Sequence, residues 1–228
     1  MFSDTEIKEE FNNGWLDFYE LVKDDLNKSL KLAFEQSGEN LNNILPSKEK
    51  IFNIFKTLRP EEIKVVIIGQ DPYPTPGNPN GYCFAYNGPN TSLPKSLINI
   101  KKATVNSGYE SEKNDYTLTD WVSQGVFLLN SALTVKKYAA GSHSLYWKEF
   151  TKKLINFISD KNPNICYILW GKKAQYYSKY INESEKNNIF TFKHPSPLAG
   201  SGFEKCTNFI EVNSFLSDIG EKIIDWKI

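Results

Sequence analysis

The chain has 228 residues, equal numbers of acidic and basic side chains at 27 each, and a hydrophobic fraction of 40%. These values are typical of one soluble globular domain, and the balanced charge gives no support to binding nucleic acid through net charge. No apolar run approaches the roughly 20 residues of a membrane-spanning helix, and the acidic N-terminus lacks the apolar core of a signal peptide. We therefore expect a single domain over residues 1–228, located in the cytoplasm and not in a membrane.

Cysteine and histidine usage argues against a metal site. Cys83, Cys166 and Cys206 are widely spaced and form no Cys-x-x-Cys pair, which favours reduced thiols. His143 and His194 share no metal-ligand spacing with each other or with the cysteines. The sequence therefore predicts neither a metal nor a cofactor.

Predicted elements alternate along the chain. The first 58 residues are predicted to be largely helical, because their apolar side chains recur at helical spacing. Four short apolar runs then predict strands over Val65–Ile68, Val126–Leu129, Ile165–Trp170 and Ile189–Phe192. Helical segments lie between and after them, over Ser96–Thr104, Leu145–Ile158, Lys173–Ile181 and Thr207–Leu216. This alternation predicts an α/β fold, a three-layer α/β/α arrangement around a central four-stranded parallel sheet.

Polar residues follow three of the predicted strands. Asp71 comes just after the first, Asn130 directly after the second, and His194 shortly after the fourth. Taken alone, Asp71 before Pro72 is more typical of a turn residue that caps backbone N–H groups. In a parallel sheet, however, all carboxyl ends lie along one edge, so these three side chains are expected to converge.

A set of motifs runs through the chain in a fixed order. The segments are Gly69–Tyr73, Gly81–Ala85, Pro94–Leu97, Gly125–Asn130, Leu169–Gly171 and His194–Leu198. Together they resemble family 1 uracil-DNA glycosylase, and the similarity continues to the end of the chain. The resemblance implies a monofunctional enzyme of base excision repair that flips uracil out of DNA. It would hydrolyse the N-glycosidic bond without a cofactor, release uracil and leave an abasic site.

The resemblance assigns catalysis to two residues. Asp71 would stabilise the positively charged sugar of the transition state and orient or deprotonate the attacking water. His194 would donate a hydrogen bond to the oxygen of the departing uracil anion, and the resemblance implies that its imidazole is neutral.

Four further residues are implied to bind uracil. Asn130 offers an acceptor and a donor that match the N3–H and O4 groups of uracil and mismatch cytosine. Tyr73, set between two prolines, would exclude the methyl group of thymine. Phe84 would stack on the flipped base, although a core phenylalanine is the commoner fate of such a residue, and the backbone N–H of Gln70 would contact the base.

Contacts to DNA are implied for a separate set of residues: Pro94, Ser96, Gly171, Lys172, Ser196 and Leu198. The two serines would hold phosphates with small hydroxyl groups, a mode that positions DNA without reading its sequence. Leu198 would act as an apolar wedge that fills the space left by the flipped nucleotide. The other lysine clusters, such as Lys136–Lys137, Lys148 and Lys152–Lys153, are each consistent with an ordinary solvated surface.

The sequence also departs from the family pattern, and it leaves alternatives open. Pro74 stands where the family usually has His, Lys172 stands where Ser is usual, and the loop after Leu198 is shorter than the common bacterial form. One alternative is a DNA-binding or processivity subunit on the same fold with incidental catalysis, and another is an α/β hydrolase of small nucleosides. The expected partners are uracil-containing single- or double-stranded DNA, with DNA-mimicking inhibitor proteins as candidates, and we expect a monomer.

Overall fold

A computed structural model of the protein describes residues 3–110, 112, 114–182 and 188–228. Within these residues, two short strands, β1 (Ile44–Leu45) and β4 (Val135–Lys136), form an antiparallel pair. Four further strands form one parallel sheet: β2 (Val65–Gly69), β3 (Val126–Asn130), β5 (Cys166–Trp170) and β6 (Asn188–Phe192). Their spatial order is β3–β2–β5–β6.

Helices connect and cover the strands. The α-helices are α1 (Asp4–Glu9), α2 (Leu16–Gln36), α3 (Asn53–Thr57), α4 (Lys95–Asn106), α5 (Thr119–Val122), α6 (Lys148–Lys161), α7 (Lys172–Gln175) and α8 (Asn208–Asp218). Short 3₁₀-helices occupy Leu41–Asn43, Lys48–Lys50, Pro60–Glu62, Asn90–Ser92, Tyr176–Tyr180, Pro197–Ala199 and Phe203–Lys205. Among the described helices, none combines the length and apolar character that crossing a membrane requires.

The predicted parallel sheet and its alternation with helices are confirmed. One predicted helix differs, because Lys173–Ile181 is a single α-helical turn followed by the 3₁₀-helix Tyr176–Tyr180. The Ser178 hydroxyl donates to the Gln175 carbonyl at 2.8 Å, which occupies an acceptor near the end of the α-helical turn. The pair β1–β4 was not predicted, since strands of two residues carry no periodic pattern.

Aromatic side chains pack on both faces of the sheet. Successive side chains along a strand point to opposite faces of the sheet. Phe127 is the second residue of β3 and Trp170 is the fifth residue of β5, and the two strands are in register through β2, so these two side chains point to opposite faces. Phe127 lies 5.4 Å from the ring of Trp15 near the start of α2, and Trp170 lies 5.1 Å from the ring of Phe203. Helical segments therefore bury both faces, as a largely apolar parallel sheet requires.

The sheet opens at its carboxyl edge between β2 and β5. Pairing of β2 with β3 continues to Gly69 and Asn130, whereas pairing of β2 with β5 ends at Ile67 and Ile168. The chain runs from β2 to β3 on one side and then returns past β2 to β5 on the other. Such a topological switch point leaves a crevice beyond the strand ends, which is where ligands bind in open α/β sheets.

The loop between β4 and α6 is anchored by a buried histidine. The His143 ring is fully buried, with Nδ1 2.9 Å from the Thr134 hydroxyl and Nε2 3.2 Å from the Ser37 hydroxyl. The Trp147 indole N–H also donates to Thr134 at 2.8 Å. The ring therefore has a structural role, since it fixes the chain just after Gly141.

This burial predicts a loss of stability in acid. Burial, and then the charge of Lys136, lowers the pKa of His143 from 6.5 to about 4. Below pH 6.5 the unfolded chain therefore binds a proton that the folded chain does not, so stability is complete above pH 6.5 and falls toward pH 4. At about 1.4 kcal/mol per pKa unit, the loss approaches roughly 3 kcal/mol.

Urea unfolding of the native protein and of His143→Gln at pH 7 and pH 5 measures this effect. We expect the native free energy of unfolding to fall more steeply on acidification than that of the variant, because glutamine takes up no proton. Parallel pH dependences for the two proteins would contradict the assignment to His143.

Candidate active site

A cavity of about 180 Å³ lies at the carboxyl edge of the sheet. Its wall contains every residue predicted for catalysis or uracil binding: Gln70, Asp71, Tyr73, Phe84, Asn130 and His194. Ser96, which was predicted to hold a phosphate, also lines it. The structure therefore brings together side chains that are up to 124 positions apart in the sequence, from Gln70 to His194.

A second cavity, of about 310 Å³, adjoins the first through Gly69, Gln70 and His194. It lies in the opening between β2 and β5. Four of the predicted DNA-contacting residues line it: Gly171, Lys172, Ser196 and Leu198. Pro94 lines neither cavity and instead precedes α4, where its carbonyl accepts the N–H of Ile98 at 3.1 Å.

Asp71 is held through one of its two carboxylate oxygens. The Gly141 backbone N–H donates to Oδ2, and the other oxygen makes no hydrogen bond within the described part of the chain. Burial raises the pKa of Asp71, while the Gly141 hydrogen bond and the charge of Lys173 act in the opposite direction. The carboxylate is thus partly desolvated, and its free oxygen is available to a water molecule or substrate in the cavity.

His194 is held in a defined tautomer. Its Nδ1 accepts a hydrogen bond from the Ser196 backbone N–H at 3.0 Å, so in the neutral ring the proton resides on Nε2. Burial, and then the charge of Lys173, lowers the pKa of His194. The imidazole is therefore neutral near pH 7 and has one N–H to donate, from Nε2.

Asn130 ends β3 at the same level as Gly69 of β2. Its side chain is 3% exposed and lines the smaller cavity, and its amide makes no hydrogen bond among the described residues. A Cβ atom at position 69 would lie 2.6 Å from the Cβ of Cys83 and 3.0 Å from the Asn130 Oδ1. The glycine therefore leaves room for Asn130, whose unpaired amide is suited to a polar ligand.

Tyr73 is a rigid part of the cavity wall. Its hydroxyl donates to the Phe84 carbonyl at 3.2 Å and lies 3.3 Å from the Ser96 hydroxyl. Its ring meets that of Tyr86 edge to face, with centroids 6.0 Å apart, and burial raises the pKa of Tyr73. The ring is therefore fixed by contacts at its edge and at its hydroxyl.

Phe84 has an unusual backbone conformation at the cavity wall. Its φ is 60°, in the left-handed region that bulky side chains rarely adopt. Its ring lies 5.6 Å from that of Trp170 and 5.9 Å from that of His194. Backbone strain of this kind persists only where the surrounding structure holds the residue in place, and it is common at ligand sites. Here the strained backbone places an aromatic ring beside His194.

Leu198 is the most exposed apolar side chain near the site. It is 99% exposed in the short turn Pro197–Ala199, and its backbone N–H donates to the Ser196 hydroxyl at 3.3 Å. The Asn99 side chain donates to the Pro195 carbonyl at 2.8 Å, which ties this loop to α4. A leucine in open solvent is thus presented on a braced turn.

Gly171 allows the end of β5 to approach the loop that carries His194. Its φ is 83°, and a Cβ atom there would lie 2.8 Å from the Cβ of His194. Its N–H donates to the Phe192 carbonyl at 2.8 Å, so the ends of β5 and β6 stay joined. Lys172 follows at the start of α7, where it is exposed.

Sequence reasoning missed two residues that act on the site. Gly141 holds Asp71, and no local pattern links positions 70 residues apart. Lys173 donates to the Gln70 side chain at 2.8 Å and lowers the pKa values of both Asp71 and His194. Its position next to Lys172, at a predicted strand end, was an available signal. Within the described residues, no group of three or more His, Cys, Asp or Glu side chains is arranged to hold a metal ion.

Comparisons with known proteins agree with this geometry. The family model of the Uracil DNA glycosylase superfamily matches residues 55–217. A uracil-DNA glycosylase of Haemophilus influenzae is 41% identical over 189 residues, covering 81% of this chain and 85% of the relative. One from Campylobacter jejuni is 35% identical over 226 residues, covering 97% and 96%.

A solved structure is similar over nearly the whole chain. A variant of mimivirus UNG in complex with UGI superimposes with a TM-score of 0.86 at 28% identity, covering 96% of this chain and 89% of that one. The family match, the two sequence relatives and this fold similarity together show that the chain belongs to the uracil-DNA glycosylase superfamily.

Proposed function

We propose that this protein is a monofunctional uracil-DNA glycosylase that excises uracil from DNA, with Asp71 and His194 as its catalytic residues. The observation that carries the assignment of roles is the shared cavity of Asp71, Asn130 and His194. A carboxylate, an unpaired amide and a neutral imidazole are the groups that the reaction needs at the sugar, the base edge and the leaving oxygen.

In the proposed reaction, water attacks C1′ of the deoxyribose and transfers a proton to the free oxygen of Asp71. The bond between C1′ and N1 of uracil breaks, and its electron pair leaves with the base as an anion. The carboxylate also stabilises the positive charge that develops on the sugar. Gly141 supports this role because it fixes the carboxylate while leaving one oxygen free.

His194 stabilises the leaving group in this mechanism. Its Nε2–H donates to the uracil oxygen on which negative charge accumulates, and such a donor contributes about 2.7–4 kcal/mol. The Ser196 N–H supports the required tautomer by occupying Nδ1. Lys173 adds positive charge near the departing anion without entering the reaction.

Base selection is assigned to the rest of the wall. Asn130 pairs with the uracil edge, Phe84 stacks on the base, and the Gln70 backbone N–H contacts it. Tyr73 excludes thymine because its ring, held at both ends, cannot yield to an added methyl group. The alternative of a processivity subunit is not favoured, since the relatives of this protein are named uracil-DNA glycosylases.

DNA is held across the mouths of both cavities. Ser96 at the smaller cavity and Ser196 at the larger one contact phosphates. Pro94, just before α4, and Gly171 shape the path, and Lys172 supplies an exposed charge. Leu198 enters the duplex as the wedge. The complex of the mimivirus relative with UGI supports an inhibitor protein as a second partner. We propose that the enzyme acts as a monomer.

Asp71→Asn tests the catalytic acid. We expect uracil release to fall by about 10²–10⁴-fold, because the amide cannot accept the proton of water. Binding of uracil-containing duplex should persist, since Asn keeps the acceptor for Gly141. Alkaline cleavage of abasic sites measures release, and a gel-shift titration measures binding. Lost binding would show that Asp71 is structural, and retained release would exclude it from catalysis.

Tyr73→Ala tests the methyl block. We expect the variant to release thymine from ordinary DNA, because the space of the ring becomes available to the methyl group. Tyr138→Ala, which removes a tyrosine ring that is 71% exposed, is the matched control and should remain specific for uracil. Strict uracil specificity of a folded Tyr73→Ala protein would refute the assignment.

Leu198→Ala tests the wedge. Extruding a nucleotide costs a few kcal/mol only where it is stacked and paired, so duplex substrates should lose more activity than single strands. The ratio of kcat/KM values for the two substrates measures the effect. Ile210→Ala, another exposed aliphatic residue, should leave the ratio unchanged. Equal losses on both substrates would remove the wedge role from Leu198.

A further inference from the structure

A cluster of lysines and tyrosines lies beside the proposed DNA-binding face and has no role in the reaction. It consists of Lys148 and Lys152 from α6 with Tyr176, Lys179 and Tyr180 from the 3₁₀-helix that follows α7. We call these five residues the lysine–tyrosine patch.

The side chains of the patch are organised around two rings. The Tyr176 and Tyr180 hydroxyls lie 3.1 Å apart. The Lys179 ammonium is 4.0 Å from the centre of the Tyr176 ring and 5.2 Å from that of Tyr180. Lys148 is 4.9 Å from the Tyr176 ring and Lys152 is 5.4 Å from the Tyr180 ring. Three ammonium groups thus surround two tyrosine rings.

The positive charge of the patch is only partly neutralised. Lys152 forms an ion pair with Glu149 at 2.6 Å, whereas Lys148 and Lys179 have no carboxylate partner among the described residues. Elsewhere on α6, Lys153 and Lys161 pair with Asp25 and Asp17. The patch therefore has an excess of positive charge that the protein as a whole, at net zero, does not have.

The titration of Tyr176 agrees with this excess. Its hydrogen bonds with Tyr180 and Lys148, together with the charges of Lys148 and Lys179, lower the pKa of Tyr176 to about 8. A positive local potential favours the anionic form of any group placed there. The same potential favours an external anion.

The location of the patch connects it with the second cavity. Tyr176 is four residues beyond Lys172, which lines that cavity, and the helix is continuous between them. At 1.5 Å per residue this is about 6 Å, or roughly two nucleotide steps at 3.4 Å along a strand. The start of α6 also lies at the carboxyl edge of the sheet, because α6 leads down to the start of β5.

We propose that the lysine–tyrosine patch binds the phosphodiester backbone of DNA that flanks the uracil, beyond the phosphates held by Ser96 and Ser196. Lys148 and Lys179 neutralise phosphates, while the tyrosine hydroxyls donate hydrogen bonds and hold the ammonium groups in place. The proposal rests on the proposed function, because it extends the same DNA track.

The test is the salt dependence of the double variant Lys148→Gln/Lys179→Gln. Each neutralised phosphate contributes about 0.9 to the slope of log affinity against log salt for duplex DNA, so the variant should lose roughly 1.8. Between 50 and 200 mM salt, the native protein should then lose about tenfold more affinity than the variant does. A uracil-free duplex reports binding by fluorescence anisotropy.

Turnover separates this role from a structural one. With a long uracil-containing duplex at low salt, KM should rise in the variant while kcat is retained. With an oligonucleotide too short to reach the patch, both constants should stay at the native values. Lys153→Gln/Lys161→Gln is the matched control, since it also removes two positive charges, but from positions of α6 that are paired with carboxylates. The salt slope of this control should equal that of the native protein.

Three outcomes would overturn the proposal. The salt slope of the patch variant could equal that of the native protein, or the control variant could lower it equally. An unchanged slope with weakened UGI binding would assign the patch to a protein partner instead. If the native protein released no uracil while the patch variant still showed a reduced slope, the proposed function would fail and the patch would stand.

Discussion

The site depends on keeping a carboxylate charged while it is partly removed from water. Burial disfavours the charged form of Asp71, and its pKa is raised. Two features oppose this effect, namely a single hydrogen bond from the Gly141 backbone and the charge of Lys173. Because a backbone amide cannot be withdrawn by a change of rotamer, Gly141 is a fixed source of stabilisation for the charged form of Asp71.

The surrounding fold can be understood as support for that amide. The loop that carries Gly141 is fixed by the buried ring of His143, which bridges Thr134 and Ser37. On the other side, the Ser131 and Ala132 N–H groups donate to the Gly69 and Gln70 carbonyls, so the ends of β2 and β3 cannot separate. The carboxylate and its donor are therefore held by two different parts of the core.

Lys173 acts electrostatically on two residues of the site. One ammonium group favours the anionic form of Asp71 and the neutral form of His194. Both are the states that the proposed reaction requires. The charge is kept in place by the Gln70 side chain, at 2.8 Å, on the same loop as Asp71. Lys173 thus acts on the leaving-group side and on the sugar side at once.

The sequence was sufficient for the architecture because the signals involved are local. Four apolar runs separated by helical periodicity predict a parallel sheet, and the carboxyl-edge rule then places Asp71, Asn130 and His194 together. The sequence could not predict Gly141, since hydrogen bonds between distant backbone and side-chain groups leave no pattern. It also could not predict the φ of Phe84, which is set by tertiary packing and not by its neighbours.

Pro74 shows where resemblance is least informative. The family pattern identifies a missing histidine, whereas the structure shows a backbone contact at this position that does not depend on the side chain. The Pro74 carbonyl accepts the Tyr138 N–H at 2.7 Å, which ties the Asp71 loop to the loop that carries Gly141. Position 74 therefore lacks a polar side chain but keeps a backbone hydrogen bond between the loops that carry Asp71 and Gly141.

The hydrogen bonds of Ser196 have a consequence for the order of events. Its N–H holds His194, and its hydroxyl accepts the N–H of Leu198, so the proposed leaving-group stabiliser and the proposed wedge share one residue as their support. A shift of the turn during the proposed insertion would therefore reach the imidazole. Under the proposed roles, bond cleavage would be coupled to insertion, and an encounter in which the duplex remains closed would end without chemistry.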